Sequence, residues 1–342
     1  MFLNSDFVDP ATLTGYARAG AADLDVNQFT LSRWLPSVSV DDLEYRFTRG
    51  GEGLIEAATF RAFDAESPVG ARAGVTRVSG ELPPISRKIR MGEYDRLRQR
   101  KVSNDTIATG IYTDTERMTR SVLARIELAR GDALVNGSVT LNENGVIATV
   151  SFGRTGGHTV TAGTLWSTVA SATPLADLLS WQATYVATNG VPPGAIVIST
   201  TTLGYLLRNA EVRALAASTA GTPSIVSRAS LDAVMSAYGL PPLHVYDAQV
   251  KVSGSATRVV AANKTLLLPA PAASPQDTQL GATLFGTTAE SLSPDYNLTG
   301  DEPGLAAGVY ESFDPVALWT KAAAISLPVL ANPDLSFTAT TS

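Results

Sequence analysis

"DTERMTRSVLARIELARGDAL", residues 114–134, runs almost directly into "GSVTLNENGVIATVSFG", residues 137–153. In the first stretch Met118, Val122, Ile126, Ala129 and Ala133 recur at spacings of four, four, three and four. That lays one apolar stripe along an α-helix, roughly 30 Å long at about 1.5 Å per residue. Thr113 or Asp114 caps its start, Glu116 and Arg120 form an i,i+4 pair, and Gly131 weakens the last turn. In the second stretch two β-rich runs flank Asn144-Gly145, the signature of a hairpin. A long helix followed at once by a hairpin is the fixed point from which the rest of the chain is read.

Downstream, from about residue 166, helices and strands alternate. "TPLADLLSWQATYVATNG" starts at Pro174 in a first-turn position, carries Leu175, Leu178, Leu179 and Val186, and stops at Gly190. "AIVIST" is a buried type of strand, and "TTLGYLLRNAEVRALA" and "ASLDAVMSAYG" return to helical period. "LHVYDAQVKV", "TRVVAA" and "KTLLLPA" read as strands. The last 60 or so residues are β-rich and loop-rich, with "GVYESF", "AISLPVL" and "DLSFTAT" as strands. Upstream, residues 1–37 read as an irregular arm broken at Pro10 and Gly15. "DDLEYRFTR" alternates Leu43, Tyr45 and Phe47 against Glu44, Arg46 and Thr48, which is strand period. After the turn "GGEG", "LIEAATFRAF" is the returning strand, and a Gly- and Pro-punctuated stretch, 67–84, completes a long excursion.

The composition excludes more than it selects. Hydrophobic residues make up 44% and charged residues 17%, which suits a folded chain. There is no cysteine, so disulfides and thiolate metal sites are out. No apolar run reaches the 20 or so residues that span a bilayer, and "MFLNSDFVDP" lacks the basic start and apolar centre of a secretory signal. The net charge is −6, yet 85–101 carries Arg87, Lys88, Arg90, Arg96, Arg98, Arg100 and Lys101 against Glu93 and Asp95. This local +5 leaves the remainder near −11.

Catalytic constellations are missing. His158, after "GRTGG", reads as a loop residue and His244 as a half-buried strand residue. With these two histidines alone, a histidine metal cluster or a Ser-His-Asp relay has no material. "GRTGGH" is neither a Walker loop nor G-x-G-x-x-G. Asp295, Asp301 and Glu302 in "SPDYNLTGDEPG" have the residue type for glycosidic chemistry, but a loop of that composition reads as solvated. Trp34, Trp166, Trp181 and Trp319 are scattered, as core or contact anchors are. No enzyme, cofactor or metal is expected.

The order of elements is arm, extended excursion, basic connector, long helix, hairpin, α/β block and β-rich end. Together with "LSRWLPSVSVDDLEYRF" (31–47), "SGELPPISRKIRMGEYDRLR" (79–98), "VLARIELARGDALVNGSVTLNENG" (122–145) and "AAAISLPVLANPDL" (322–335), it resembles the major capsid proteins of tailed phages. Within these it is similar to the lambda-type capsid protein E family. The resemblance implies an α+β, Hong Kong 97-type capsid fold. Residues 1–37 would be its N-terminal arm, 38–84 its extended E-loop, and 85–165 its peripheral domain, with the spine helix at 114–134 and a hairpin at 136–153. Residues 166–290 would be an α/β axial domain, and 291–342 strands that return to the peripheral domain.

The function implied is a shell of hexamers and pentamers in the virion capsid, enclosing double-stranded DNA held without base readout and assembled in the bacterial host cytoplasm. The implied partners are a separate scaffolding protein, a portal and a decoration protein, whose presence the resemblance leaves open; no membrane is involved. Contacts with neighbouring subunits or scaffold would fall to Arg46, Arg49, Arg87, Lys88, Arg90, Arg96, Arg98, Arg100 and Lys101, with Asp295, Asp301 and Glu302 as an acidic counterpart. The arginine content favours carboxylate pairing at interfaces over packaged DNA, which stays open beside it. Two rivals remain: an encapsulin-like compartment for cargo enzymes, and a secreted carbohydrate-binding or adhesive β-rich protein. A further expectation is that the arm and the long hairpin cannot bury their apolar sides within one copy.

Overall fold

A computed structural model describes residues 2–3, 7–49, 76–99, 104–143, 146–217, 221–296, 298 and 303–342. The arm is not irregular. After a short strand β1 (Phe2–Leu3), α1 spans Pro10–Asn27. Asp9 caps it, accepting from the Thr12 backbone N–H at 3.1 Å, and Pro10 occupies the first turn, where its missing N–H costs nothing. Leu13, Ala17 and Leu24 are buried, and the Thr14 hydroxyl donates to the Ala307 carbonyl at 3.0 Å while accepting from the Ala307 N–H at 3.1 Å. The arm therefore buries its apolar side on its own copy, which overturns half of the expectation about neighbours.

Strand β2 (Ser37–Ser39) follows, and then β3 (Glu44–Arg49) pairs antiparallel with β4 (Thr76–Glu81). The strand that pairs with β3 thus falls within 67–84, the stretch read as completing the excursion; "LIEAATFRAF" lies outside the described residues. Residues 85–101 are not a connector: β5 (Pro84–Met91) and α2 (Glu93–Gln99) account for most of them. Ile85, Ile89 and Met91 alternate with charged positions and pack on the core, which is strand period hidden under charge.

The long helix, expected as the spine, is α3 (Asn104–Asn136), 33 residues, starting a good two turns before the cap expected at Thr113 or Asp114. Met118, Val122, Ile126 and Ala133 are buried as the stripe requires, and Ile111 and Thr115 extend it. Gly131 is there for space: a Cβ would come within 2.4 Å of the Val259 carbonyl oxygen, so the residue that weakens the helix permits its contact. Strands β6 (Ser138–Glu143) and β7 (Val146–Ser151) form the expected hairpin.

Next come β8 (Thr159–Thr161), α4 (Pro174–Asn189), β9 (Ala195–Ile198), α5 (Thr200–Arg208) and α6 (Ala210–Leu215). α5 and α6 were read as one helix; Asn209 ends the first and caps the second, accepting from the Glu211 N–H at 2.9 Å. α7 (Arg228–Ala237), β10 (Leu243–Val245), β11 (Gln249–Val252), β12 (Ser255–Arg258) and β13 (Lys264–Leu268) complete this block. The chain ends with β14 (Gly281–Gly286), β15 (Ala306–Phe313), β16 (Val316–Leu330) and β17 (Phe337–Thr340).

Two sheets organise these elements. In the first, the long β16 pairs antiparallel with β15, β14 and β5, with β1 and β2 at its margins. The second runs β10-β9-β13-β17-β8, with α4 to α7 supplying Leu178, Tyr185, Leu206 and Leu231 to the core. The C-terminal strands divide between the two sheets. β15 and β16 join the first sheet, whereas β17 pairs with β13 and β8 in the second. Phe337, Thr338 and Ala339 are all buried there, and that burial holds the strand in place.

Candidate inter-subunit contact site

Three of the nine predicted basic residues stand on β5, which lies on β16 in a register that sets Lys88 opposite Lys321 and Arg90 opposite Trp319. Like charges directly opposed repel, and each lysine has a partner of its own. Lys321 binds Glu290, while Lys88 Nζ sits 4.4 Å from the centre of the Trp319 ring, with the Arg90 guanidinium 5.9 Å from it. Trp319 is held by stacking on Tyr310 and by donating from Nε1 to Ser312 Oγ at 3.0 Å. Arg87 reaches the other way and donates to Ser121 Oγ on α3 at 2.6 Å.

Arg87, Lys88 and Lys321 share a cleft of about 630 Å³ with Asp295, Tyr296 and Tyr310. Asp295, one of the three predicted acidic residues, is thus beside the basic strand within one copy, with no ion pair between it and that strand among the described residues. Arg98 is exposed on α2. Arg96 lies on α2 and Arg46 and Arg49 on β3, but their side chains, like Arg100, Lys101, Asp301 and Glu302 altogether, fall outside what is described.

Sequence reasoning missed three arrangements. The first is buried charge. Glu127 and Arg130 on α3 are 0% and 1% exposed, and Glu127 Oε2 accepts from Arg130 at 3.1 Å. Glu127 Oε1 accepts from the Leu31 N–H at 3.1 Å and the Tyr246 hydroxyl at 2.5 Å. Arg130 donates on to Thr283 Oγ1 at 2.9 Å and Ser37 Oγ at 3.1 Å. Burial pushes the Glu127 carboxyl above its usual range, against the pull of Arg130, Tyr246 and Leu31. One ion pair thus fastens the arm, the spine, the first sheet and the Tyr246 segment. The second is a row of arginines on α3, including Arg117, Arg120 and Arg125, along another cleft. A signal for it was visible, since all three fall in the quoted helix.

The third is His158, which is no loop residue in solvent but fully buried in a 3-10 turn. Its ring lies against Tyr185 and Phe337, and Nε2 is 3.0 Å from Thr188 Oγ1. Burial pushes its imidazole below the ordinary 6.5, aided by Arg154 and opposed by the Asp334 carboxylate and the carbonyls of Asp334 and Ser336. A proton bound more weakly in the folded chain than in the unfolded one lowers stability on acidification. Its stabilising contribution is then complete above about pH 6.5 and declines as pH falls below that value. Thermal unfolding followed from about pH 7.5 to 5 should show this decline flattened in His158→Gln; an unchanged slope would rule His158 out as its source. His244, half-buried against Trp34, is depressed by burial and by Arg33 and Arg228 and acts in the same direction.

Among the described residues no group of histidine and carboxylate side chains could hold a metal, and no helix is long and apolar enough to cross a membrane.

A family model described as phage major capsid protein E matches residues 48–341. No curated protein matches the chain. Among solved structures, a prophage capsid protein (E. coli CFT073) superposes with a TM-score of 0.64 at 12% identity, covering 98% of this chain and 99% of that one. A phage-related protein from Bordetella bronchiseptica RB50 gives 0.58 at 12% identity, over 99% and 97%. The capsid of cyanophage P-SCSP1u gives 0.51 at 9%, over 90% and 86%. At such identities the superpositions speak for the fold, the α+β fold of Hong Kong 97-type capsid proteins, and the family match speaks for kinship. With two sheets built on one spine helix and a family match over most of its length, this chain belongs to the phage major capsid protein E family, whose members are shell-forming structural proteins and not enzymes.

Proposed function

We infer that many copies of this chain close into an icosahedral shell of pentamers and hexamers, which encloses the double-stranded DNA of a tailed phage. Assembly takes place in the bacterial cytoplasm on a separate scaffolding protein, with a portal at one vertex. In this reading α3 is the spine and the first sheet the peripheral domain. The second sheet with α4 to α7 is the axial domain, and β3 and β4 are the base of the E-loop.

The observation that carries it is where large apolar side chains stay in water. Tyr94 and Leu97 are exposed one turn apart on α2, Ile147 is 82% exposed on β7, and Phe313 and Val316 flank the turn between β15 and β16. They are among the exposed large apolar side chains, which also include Tyr16, Leu43 and Leu179, and at about 25 cal/mol per Å² covering them favours association. Repeated copies cover them all around a closed shell.

The test is expression with and without a scaffolding protein, followed by sedimentation and negative-stain microscopy. Closed particles of uniform size are expected, with nucleic acid rather than enzyme cargo as their content when recovered from infected cells. A chain that remains monomeric in every preparation overturns the reading.

A further inference from the structure

The chain enters β5 through Pro83-Pro84, two successive residues with no N–H to offer a ladder. Pairing with β16 ends there, at Pro84 opposite Ile325, while β16 runs on to Leu330. Beyond that point the space between β16, α3 and β6 stays partly open, as a pocket of about 290 Å³. Its walls are mostly apolar, with Pro83, Ile85, Ile126, Leu141, Leu327 and Pro328 among them.

Two polar features interrupt these walls. Ser326, 2% exposed, is the one buried polar side chain in the lining, and its hydroxyl has no hydrogen-bond partner among the described residues. Its backbone N–H already donates to the Pro83 carbonyl at 3.3 Å, so the side chain alone is left over. Arg125 and Glu143 are more open, 30% and 52% exposed, and meet each other at 3.4 Å. The pocket therefore runs from a lone hydroxyl at its buried end to an ion pair at its outer end.

We propose that this pocket is a binding site for a small neutral alcohol with a ring-sized apolar body. The ring lies among Ile126, Leu141 and Leu327, and its hydroxyl pairs with Ser326 Oγ. Each part of the site selects one property. An apolar cavity of roughly 150 Å³ already takes up benzene, so this one has room for a substituted ring. Apolar walls with a few placed polar groups are the usual lining of a small-molecule site. A serine hydroxyl both donates and accepts, and an alcohol on the ligand does the same. Arg125 and Glu143 cancel each other's charge, and a charged ligand would lose its hydration without gaining a partner. Water is the poorer occupant, because it is held by two to four polar partners and these walls supply few. A bound ligand touches α3, β16 and β6 at once and stabilises their packing. The site lies within one subunit, so the inference stands apart from the shell reading.

Thermal unfolding of the full chain as unassembled subunits, titrated with phenol, cyclohexanol, benzene or benzoate at millimolar concentrations, tests it. Phenol and cyclohexanol should raise the unfolding temperature saturably, as any ligand of the folded state does. Benzene should bind about fivefold more weakly for want of the hydrogen bond, and benzoate should give no shift. Ser326→Ala should reduce phenol to the level of benzene. Ala129→Leu fills the pocket from α3 and should abolish every shift; Leu141→Phe fills it from β6 and serves if the first variant does not fold. A wild-type chain with no saturable shift overturns the proposal, and so do undiminished shifts in the filled variants, which put the ligand elsewhere. Benzene binding as tightly as phenol, with Ser326→Ala silent, overturns the role of the hydroxyl and with it the ligand class. Benzoate binding as tightly as phenol overturns the choice of a neutral ligand.

Discussion

Replacing Glu127 with alanine should destabilise the folded subunit by about 3–5 kcal/mol, the usual result of stripping one partner from a buried ion pair. The Arg130 guanidinium would remain in the interior, 1% exposed, with its carboxylate gone. The Leu31 N–H and the Tyr246 hydroxyl would also lose their acceptor, and a buried donor without one costs about 1–3 kcal/mol. Urea denaturation of unassembled subunits measures the loss. Changing both charges, Glu127→Met with Arg130→Met, should recover much of it, because apolar replacements of similar volume are often tolerated where half a pair is not. Recovery will be incomplete, since Arg130 also serves Ser37 and Thr283. A Glu127→Ala subunit as stable as wild type would show that the cluster does not fasten the arm to the spine.

The second large effect is expected at Arg154→Ala, at about 3 kcal/mol, the scale of hydrogen bonds made by a charged group. Arg154 donates to the carbonyls of Leu134 and Val135 at 2.9 and 2.6 Å, in the last turn of α3, where the helix leaves acceptors unused. It also donates to Thr338 Oγ1 of β17 and Thr159 Oγ1 of β8, each at 3.1 Å. Burial pushes its guanidinium down to about 10, against the pull of Asp334, so the charge is held at a cost that these acceptors offset. Arg154→Lys keeps the charge but not the planar fork, and should recover only part of the loss. Hydrogen exchange separates two roles. A clamp between spine and second sheet speeds exchange in both the last turn of α3 and β17; a simple cap speeds it in α3 alone.

How far the sequence could be read depended on whether a signal was local. The stripe of Met118, Val122 and Ile126 is a local period, and it is buried as read. Asn144-Gly145 marks its hairpin, and Gly190 ends α4 in the left-handed conformation a stop requires. The arm helix was missed because Pro10 and Gly15 were weighed as breakers, although Leu13, Ala17 and Leu24 already lay on one face. The first turns of α3 carry Thr109 and Gly110, poor helix formers, and the buried Ile111 and Thr115 tie that end of the spine to the core. The basic stretch hid its strand for a related reason: charge drew attention from Ile85, Ile89 and Met91.

The candidate contact residues divide in the same way. That charge gathers near residues 87–90 is written in the sequence; that Lys88 and Arg90 end over Trp319, and Arg87 against Ser121, is a consequence of pairing β5 with β16. Glu127 and Arg130 show the limit most sharply. Three residues apart on a helix, they carry no local sign of burial. Their burial comes from Leu31, 96 residues before, and Tyr246, 119 residues after. The chain alone set the periods, the turns and the excess of charge, because each depends on neighbours within a few residues. Which charges would be sealed inside was decided only by the packed structure, because desolvation depends on segments that meet from far apart in the chain.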